Sequence, residues 1–157
     1  MKDSSARSWT NVDFARMSWH DNHVHGLSIR AGEHGLGELT LDLDYILDWL
    51  CAPGGSCEFR VAPATLTFHE ATDLRIEIDY SVSGAALTPF SISEIRRESV
   101  SVGAGGRIFR WTIAINWPKG SISFHASGFT QVLRGADVVT PDQWLAPERR
   151  LDNSSNA

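Results

Sequence analysis

Residues 19–26 read WHDNHVHG and place His20, Asp21, His23 and His25 close together in the chain. On a strand, imidazoles two residues apart share a face, as they do in many zinc sites. A nearby carboxylate can then act as third ligand or orient a ring by accepting its second N–H. The same set could move protons, with His23 or His25 as acid or base and Asp21 as orienter. A structural reading competes with both. In it Trp19 anchors the entrance to a strand, Asp21 or Asn22 caps a turn, and His25 sits partly buried with a ring nitrogen bonded to backbone. A third reading makes the stretch a contact for a partner.

The elements that must position these residues decide between the readings. Leu27 and Ile29 alternate with Ser28 and Arg30, and after AGEHGLG the chain returns with Leu39, Leu41 and Leu43 alternating with Thr40, Asp42 and Asp44. Pairing Ile29 with Leu39 and Leu27 with Leu41 buries the leucines, and a slip by one residue would turn them to water. This register sets His25 opposite Leu43 and His23 opposite Tyr45, so both histidines share a face with Leu27 and Ile29, away from Asp42 and Asp44. Bringing the two histidines onto the two aspartates requires a bulge or another register. The structural reading therefore leads: no catalytic residue and no cofactor is expected, and a divalent metal on His23, His25 and Asp21 is the alternative.

Period-two alternation recurs along the chain, and helical periodicity is confined to its ends, which predicts an all-β antiparallel domain, a sandwich or a strongly curved sheet or partial barrel. A second hairpin is expected at TLTFHEATDLRIEIDY, with Leu66 and Phe68 facing Ile76 and Leu74 around turn residues 69–73. Upstream of it, Glu58–Val61 reads as a short strand that Pro63 interrupts. In the segment 90–100, Ile95 falls off the parity of Phe90 and Ile92, and a bulge would restore it. The third hairpin sets Phe109, Trp111, Ile113, Ile115 and Trp117 against Ile122, Phe124 and Ala126. Its turn at 117–120 suits type I geometry, with Pro118 presetting φ and Gly120 accepting a positive φ. Thr10 could cap one or two helical turns near Met17. Thr140 and Pro141 open a short C-terminal helix that stops near Pro147, with Trp144 and Leu145 free to dock. The inward set is Leu27, Ile29, Leu41, Ile76, Trp111, Ile113 and Phe124; Asp42, Asp44, Arg75 and Glu77 point out. Residues 1–8 are expected to be a flexible terminus, 9–150 one domain, and 151–157 a disordered tail.

With 157 residues the chain can bury a core of ordinary size. The net charge of −5 and scattered cations argue against nucleic acid and anionic membrane surfaces as partners. The N-terminus lacks the apolar run of a leader and no window is long enough to span a bilayer, so a soluble, cytoplasmic protein is expected. In a reducing compartment Cys51 and Cys57 read as free thiols, and no second pair completes a zinc site. His34, His69 and His125 fall in turns or on solvent-facing strand positions. No nucleophile elbow, phosphate loop or dinucleotide fingerprint occurs, and residues 103–106 form a plain flexible turn. Six tryptophans invite a sugar-stacking role. Their positions at apolar parity (Trp111, Trp117) or at element ends (Trp19, Trp49, Trp144) favour core or rim packing.

WHDNHVHGLSI followed by ELTLDLDYILDWL, together with PATLTFHEATDLRIEIDY and ISFHASGFTQVLR, resembles small bacterial all-β proteins of the domain-of-unknown-function kind. The first hairpin is also similar to that of immunity proteins of bacterial toxin systems. The resemblance implies no catalytic residues. The resulting expectation is a non-catalytic interaction protein with a protein partner, possible also as a homodimer. The alternative is a metal-dependent enzyme or small-molecule binder that uses His20, Asp21, His23 and His25.

Overall fold

The computed structural model describes residues 6–32, 36–82, 84, 86–103 and 106–151; His34 and the tail beyond 151 lie outside them. Among the described residues nine strands form one antiparallel sheet: β1 (Ser8–Thr10), β2 (His23–Ala31), β3 (Gly37–Cys51), β4 (Cys57–Ile78), β5 (Phe90–Val102), β6 (Gly106–Trp117), β7 (Gly120–Ala126), β8 (Gly128–Leu133) and β9 (Val138–Thr140). A 3-10 helix, Asn11–Arg16, follows β1, and one short helix, α1 (Pro147–Leu151), ends the described chain. No helix among the described residues is long and apolar enough to cross a membrane.

Strands β2–β3–β4 form one meander and β5–β6–β7 another. Pairing of β4 with β7 and of β2 with β5 closes six strands into a barrel, so the curved-sheet expectation holds and the sandwich does not. The β2–β5 seam is thin: its register pairs are His23 with Ser91 and Val24 with Phe90. Two more backbone bonds extend it, Asp21 N–H to Ile92 O at 2.8 Å and Ile92 N–H to Asn22 O at 2.9 Å. β8 prolongs β7 along the same edge of β4 and carries β1 on its other side, while β9 pairs with β4 at Phe59–Val61. Arg7 and Ser8 are thus tied down rather than loose: Ser8 pairs with Val132, and Arg7 donates to Gly135 O at 2.6 Å.

The inward residues alternate as expected along β3, β6 and β7, burying Leu41, Leu43, Trp111, Ile113, Ile122 and Phe124. Phe68 packs edge-on against Trp111 and Phe124, with centroids 5.0 and 4.7 Å apart. Ile29 and Ile76 depart from the expected inward set, being 68% and 44% exposed. Their parity is right, since they pair with Leu39 and Ile122. However, β2 runs on beyond its short seam with β5, and β4 beyond the start of β3, so among the described residues no strand pairs over them at the open end.

β4 is one continuous strand, and the expected hairpin at 69–73 does not form. Glu70 and Asp73 adopt left-handed φ of 53° and bend the strand so that it keeps β8 and then β7 on the same edge. Bends and irregular pairing of this kind let a long strand coil around a barrel. His69 therefore lies within the strand, its Nε2 2.8 Å from Thr130 Oγ1. Pro63, also within β4, sits between the residues paired with β9 and those paired with β8, where its missing N–H breaks no ladder. The bulge expected near Ile95 is present, since Ile92 and Glu94 pair with consecutive residues of β6.

At the β6–β7 turn the Trp117–Pro118 peptide is cis, and Gly120 is not among the residues with positive φ. Glycine is needed there for a different reason, because a Cβ on Gly120 would come within 2.9 Å of Ile78 Cα. Near the C-terminus Thr140 Oγ1 accepts the Asp142 N–H at 3.2 Å, but the helix starts only at Pro147, where the sequence suggested it would end. Cys51 and Cys57 form a disulfide instead of two free thiols. They are register partners at the mouth of the β3–β4 hairpin with Cα atoms 4.0 Å apart, a proximity that the compartment argument did not weigh.

Candidate functional site

A bulge in β2 sets the geometry of WHDNHVHG. Val24 pairs with Leu43 and Gly26 with Asp42, so His25 is the extra residue and His23 pairs with Asp44, not Tyr45. Val24 turns inward and is buried, and the two histidines lie on the outer face with Asp42 and Asp44. His25 Nε2 lies 2.8 Å from Asp44 Oδ2, so the HxH and DxD segments do meet, through the bulge.

They meet beneath the C-terminal strap, residues 141–151. Asp44, expected on the surface, is fully buried. It receives the Leu145 N–H at 2.9 Å and the Arg150 guanidinium, which also bonds Asp42 Oδ1 at 2.5 Å. Arg134 joins the same Asp42 oxygen. Leu145 closes a small apolar cluster of Ile46, Phe59 and Val61 on the outside of the sheet. Trp144 lies over the His23 ring at a centroid distance of 5.1 Å, and Gln143 Nε2 donates to Asp21 Oδ2 at 3.0 Å.

Asp21 is the centre of this end of the barrel. It is the third residue of a turn closed by Asn22 N–H to Trp19 O at 3.0 Å, and its φ of 61° is one that Asp and Asn tolerate better than most residues. Its carboxylate accepts Asn116 Nδ2 at 3.2 Å as well as Gln143, and His20 Nδ1 lies 3.2 Å from Oδ2. Its carbonyl accepts the N–H of His23 Nδ1 at 3.1 Å. Asn22 is buried, and its Oδ1 accepts the Ile46 N–H at 3.3 Å beside a second bulge, in β3.

The candidate ligand set is thus dispersed. His23 serves Asp21 O, His25 serves Asp44, and His20 is exposed beside Trp49 at 6.1 Å. Among the described residues no three His, Cys, Asp or Glu side chains converge as a metal site would require. His25 is bonded to a carboxylate rather than to backbone; the backbone bond belongs to His23.

Burial, with the Arg150 and Arg134 guanidiniums adding to it against Asp42, lowers the His25 pKa to about 4. At neutral pH the ring is therefore neutral and donates Nε2–H to Asp44, while Arg150 supplies the matching charge. His23 is also lowered, by burial first and by His25, against the Asp21 carbonyl bond. Both pKa values are depressed on folding from about 6.5, so the unfolded chain binds more protons below that pH. Stability is then fully present above pH ~6.5 and falls as pH drops towards about 4. His25→Gln, which can still donate to Asp44, should flatten most of this slope in denaturant titrations run across that window, leaving the share due to His23. An unaltered slope would mean that His25 is equally protonated in both states.

Trp49, Trp117 and Trp144, expected from the sequence in core or rim packing, all turn outward in the structure. They are 47%, 54% and 47% exposed; Trp49 lies beside His20, Trp144 against His23, and Trp117 follows Asn116 in the chain. Trp117 breaks its apolar parity because Ile115 pairs with Ile92 but Trp117 with Ser91, which leaves Asn116 as a bulge that turns both residues outward. An amide just before a tryptophan that ends an apolar run was the available signal. Comparison with known proteins found no matching family model, no matching curated protein and no matching solved structure.

Proposed function

We propose that this chain is a non-catalytic binding protein whose recognition surface is the end of the barrel around Asp21. One observation carries the reading. The groups capable of chemistry are engaged in holding the C-terminal strap and the β2–β5 seam, whereas three half-exposed indoles stand around them. Aromatic side chains on a pre-ordered polar frame supply contact area at low entropic cost. Arg60, Arg134 and Arg150 already face carboxylates, which speaks against a phosphate-tracking surface and so against nucleic acid or an anionic membrane as ligand.

The immunity-like reading, with a basic toxin domain as partner, draws on the net charge of −5, which would speed association with a cationic surface. The setting of the protein is part of the proposal. The bridged form of Cys51 and Cys57 suits an oxidising compartment better than the cytoplasm expected from the sequence.

A capture experiment tests the binding reading. Immobilised protein exposed to an extract of the source cells at low salt should retain a component that the Trp49→Ala/Trp117→Ala/Trp144→Ala variant does not. Equal retention by the two forms would remove the Asp21 end as the recognition surface, and retention of nothing would remove binding as the function.

A further inference from the structure

We propose that the surface around Asp21 binds carbohydrate, with Trp49, Trp117 and Trp144 as stacking platforms and the Asp21 network as the hydroxyl-binding frame. The inference rests on the binding reading above and names its ligand class. A sugar ring offers an apolar C–H face and a belt of hydroxyls, so its site needs flat aromatic surfaces beside ordered donors and acceptors. Both are present here. Trp144 sits on His23, Trp49 beside His20, and Trp117 next to Asn116, and each of these three partners bonds Asp21. Ser91 lies between His23 and Trp117 in the cross-strand row.

The polar frame separates this ligand class from a protein hot spot. The cores of protein interfaces are depleted of charged residues. The Asp21 side chain keeps only 17% of its exposure, and its partners are an imidazole and two amides rather than a guanidinium or ammonium, so a dehydrated core closed over it would strip the last water from a carboxylate with no cation bound to it. Hydroxyls can donate to the carboxylate and accept from the amide N–H groups while leaving the network partly wet.

A surface pocket of about 570 Å³ adjoins this surface, with His20 in its wall. Ser18, Ser93 and Glu94 bring polar groups to its wall, alongside Met17, Trp19 and Ile95. Its volume lies within the range of small-molecule sites. A surface that runs from this pocket past His20 to the indoles suits a chain of sugar units better than a single ring.

Affinity electrophoresis of the full chain in native gels containing β-glucan, xylan, galactomannan or chitin oligosaccharides tests the proposal. At least one should retard the wild-type protein and quench its tryptophan fluorescence. Trp49→Ala, Trp117→Ala and Trp144→Ala should each weaken that binding about tenfold, roughly the effect of one stacking contact. Asp21→Asn, which keeps the turn, should weaken it too, and Ile29→Ala, away from the Asp21 network, should not. Far-ultraviolet circular dichroism and melting temperature establish that each variant is folded. Absence of retardation by all four, or retardation equal in the tryptophan variants, overturns the carbohydrate assignment. If the extract experiment still gives tryptophan-dependent retention of a protein, the recognition surface stands with a different ligand class; if that too is absent, the binding reading falls with it.

Discussion

Arg150→Met should destabilise the protein by roughly 3–5 kcal/mol at neutral pH, the range for removing one partner of a buried ion pair. Asp44 is fully buried and Arg150 bridges it to Asp42, so without the guanidinium the carboxylate keeps only the Leu145 N–H and a neutral His25. The loss should shrink below about pH 6, because His25, freed from the repulsion of Arg150 and facing an unpaired carboxylate, would then take up a proton and supply the missing charge. An Asp44→Leu/Arg150→Met pair should recover part of the stability, since apolar replacement of both members of a buried pair is often neutral or better, while the Leu145 N–H left without an acceptor costs about 1–3 kcal/mol. Chemical denaturation at two pH values, read out by tryptophan fluorescence, checks all three results. A change within about 0.5 kcal/mol for the single variant would mean that Arg150 is effectively a surface residue.

Ile113→Ala should cost about 2–5 kcal/mol, and Glu77→Ala no more than about 0.5 kcal/mol. Ile113 is fully buried between its cross-strand partners Ile95 and Ile122, inside a closed barrel whose wall can collapse little around a lost side chain. Glu77 is exposed, and its ion pair is with the exposed Arg75. Melting curves of the two variants decide the matter, and equal effects would reverse the assignment of faces on β4 and β6.

The elements most legible in the sequence were those in which a single strand face carries a long apolar run. Leu39, Leu41 and Leu43 against Leu27 and Ile29, and Trp111 and Ile113 against Phe124 and Ile122, allow one register because any slip exposes the whole set. The bulge near Ile95 was legible for the same reason, as a break in parity that only an extra residue mends. The bulges at His25 and Asn116 were not, since the polar residues there fit either face. Those two bulges decide which way the histidines and Trp117 point. The TFHEATD segment resembled a turn in composition, yet Glu70 and Asp73 bend a continuous strand, because the barrel needs coiling there rather than a reversal.

By itself, then, the sequence determined an all-β antiparallel chain, most of its inward residues and its first and third hairpins, all of which follow from period-two alternation among neighbours. Only the tertiary structure decided that the sheet closes on itself, that Cys51 and Cys57 meet, that Asp44 is buried under the strap, and that the WHDNHVHG histidines brace this strap and the barrel seam. Each of these depends on contacts between segments far apart in the chain, such as Arg150 with Asp44 or Gln143 with Asp21. Local alternation carries no record of such contacts, because the same polar residue satisfies the pattern whether it faces water or a partner a hundred positions away.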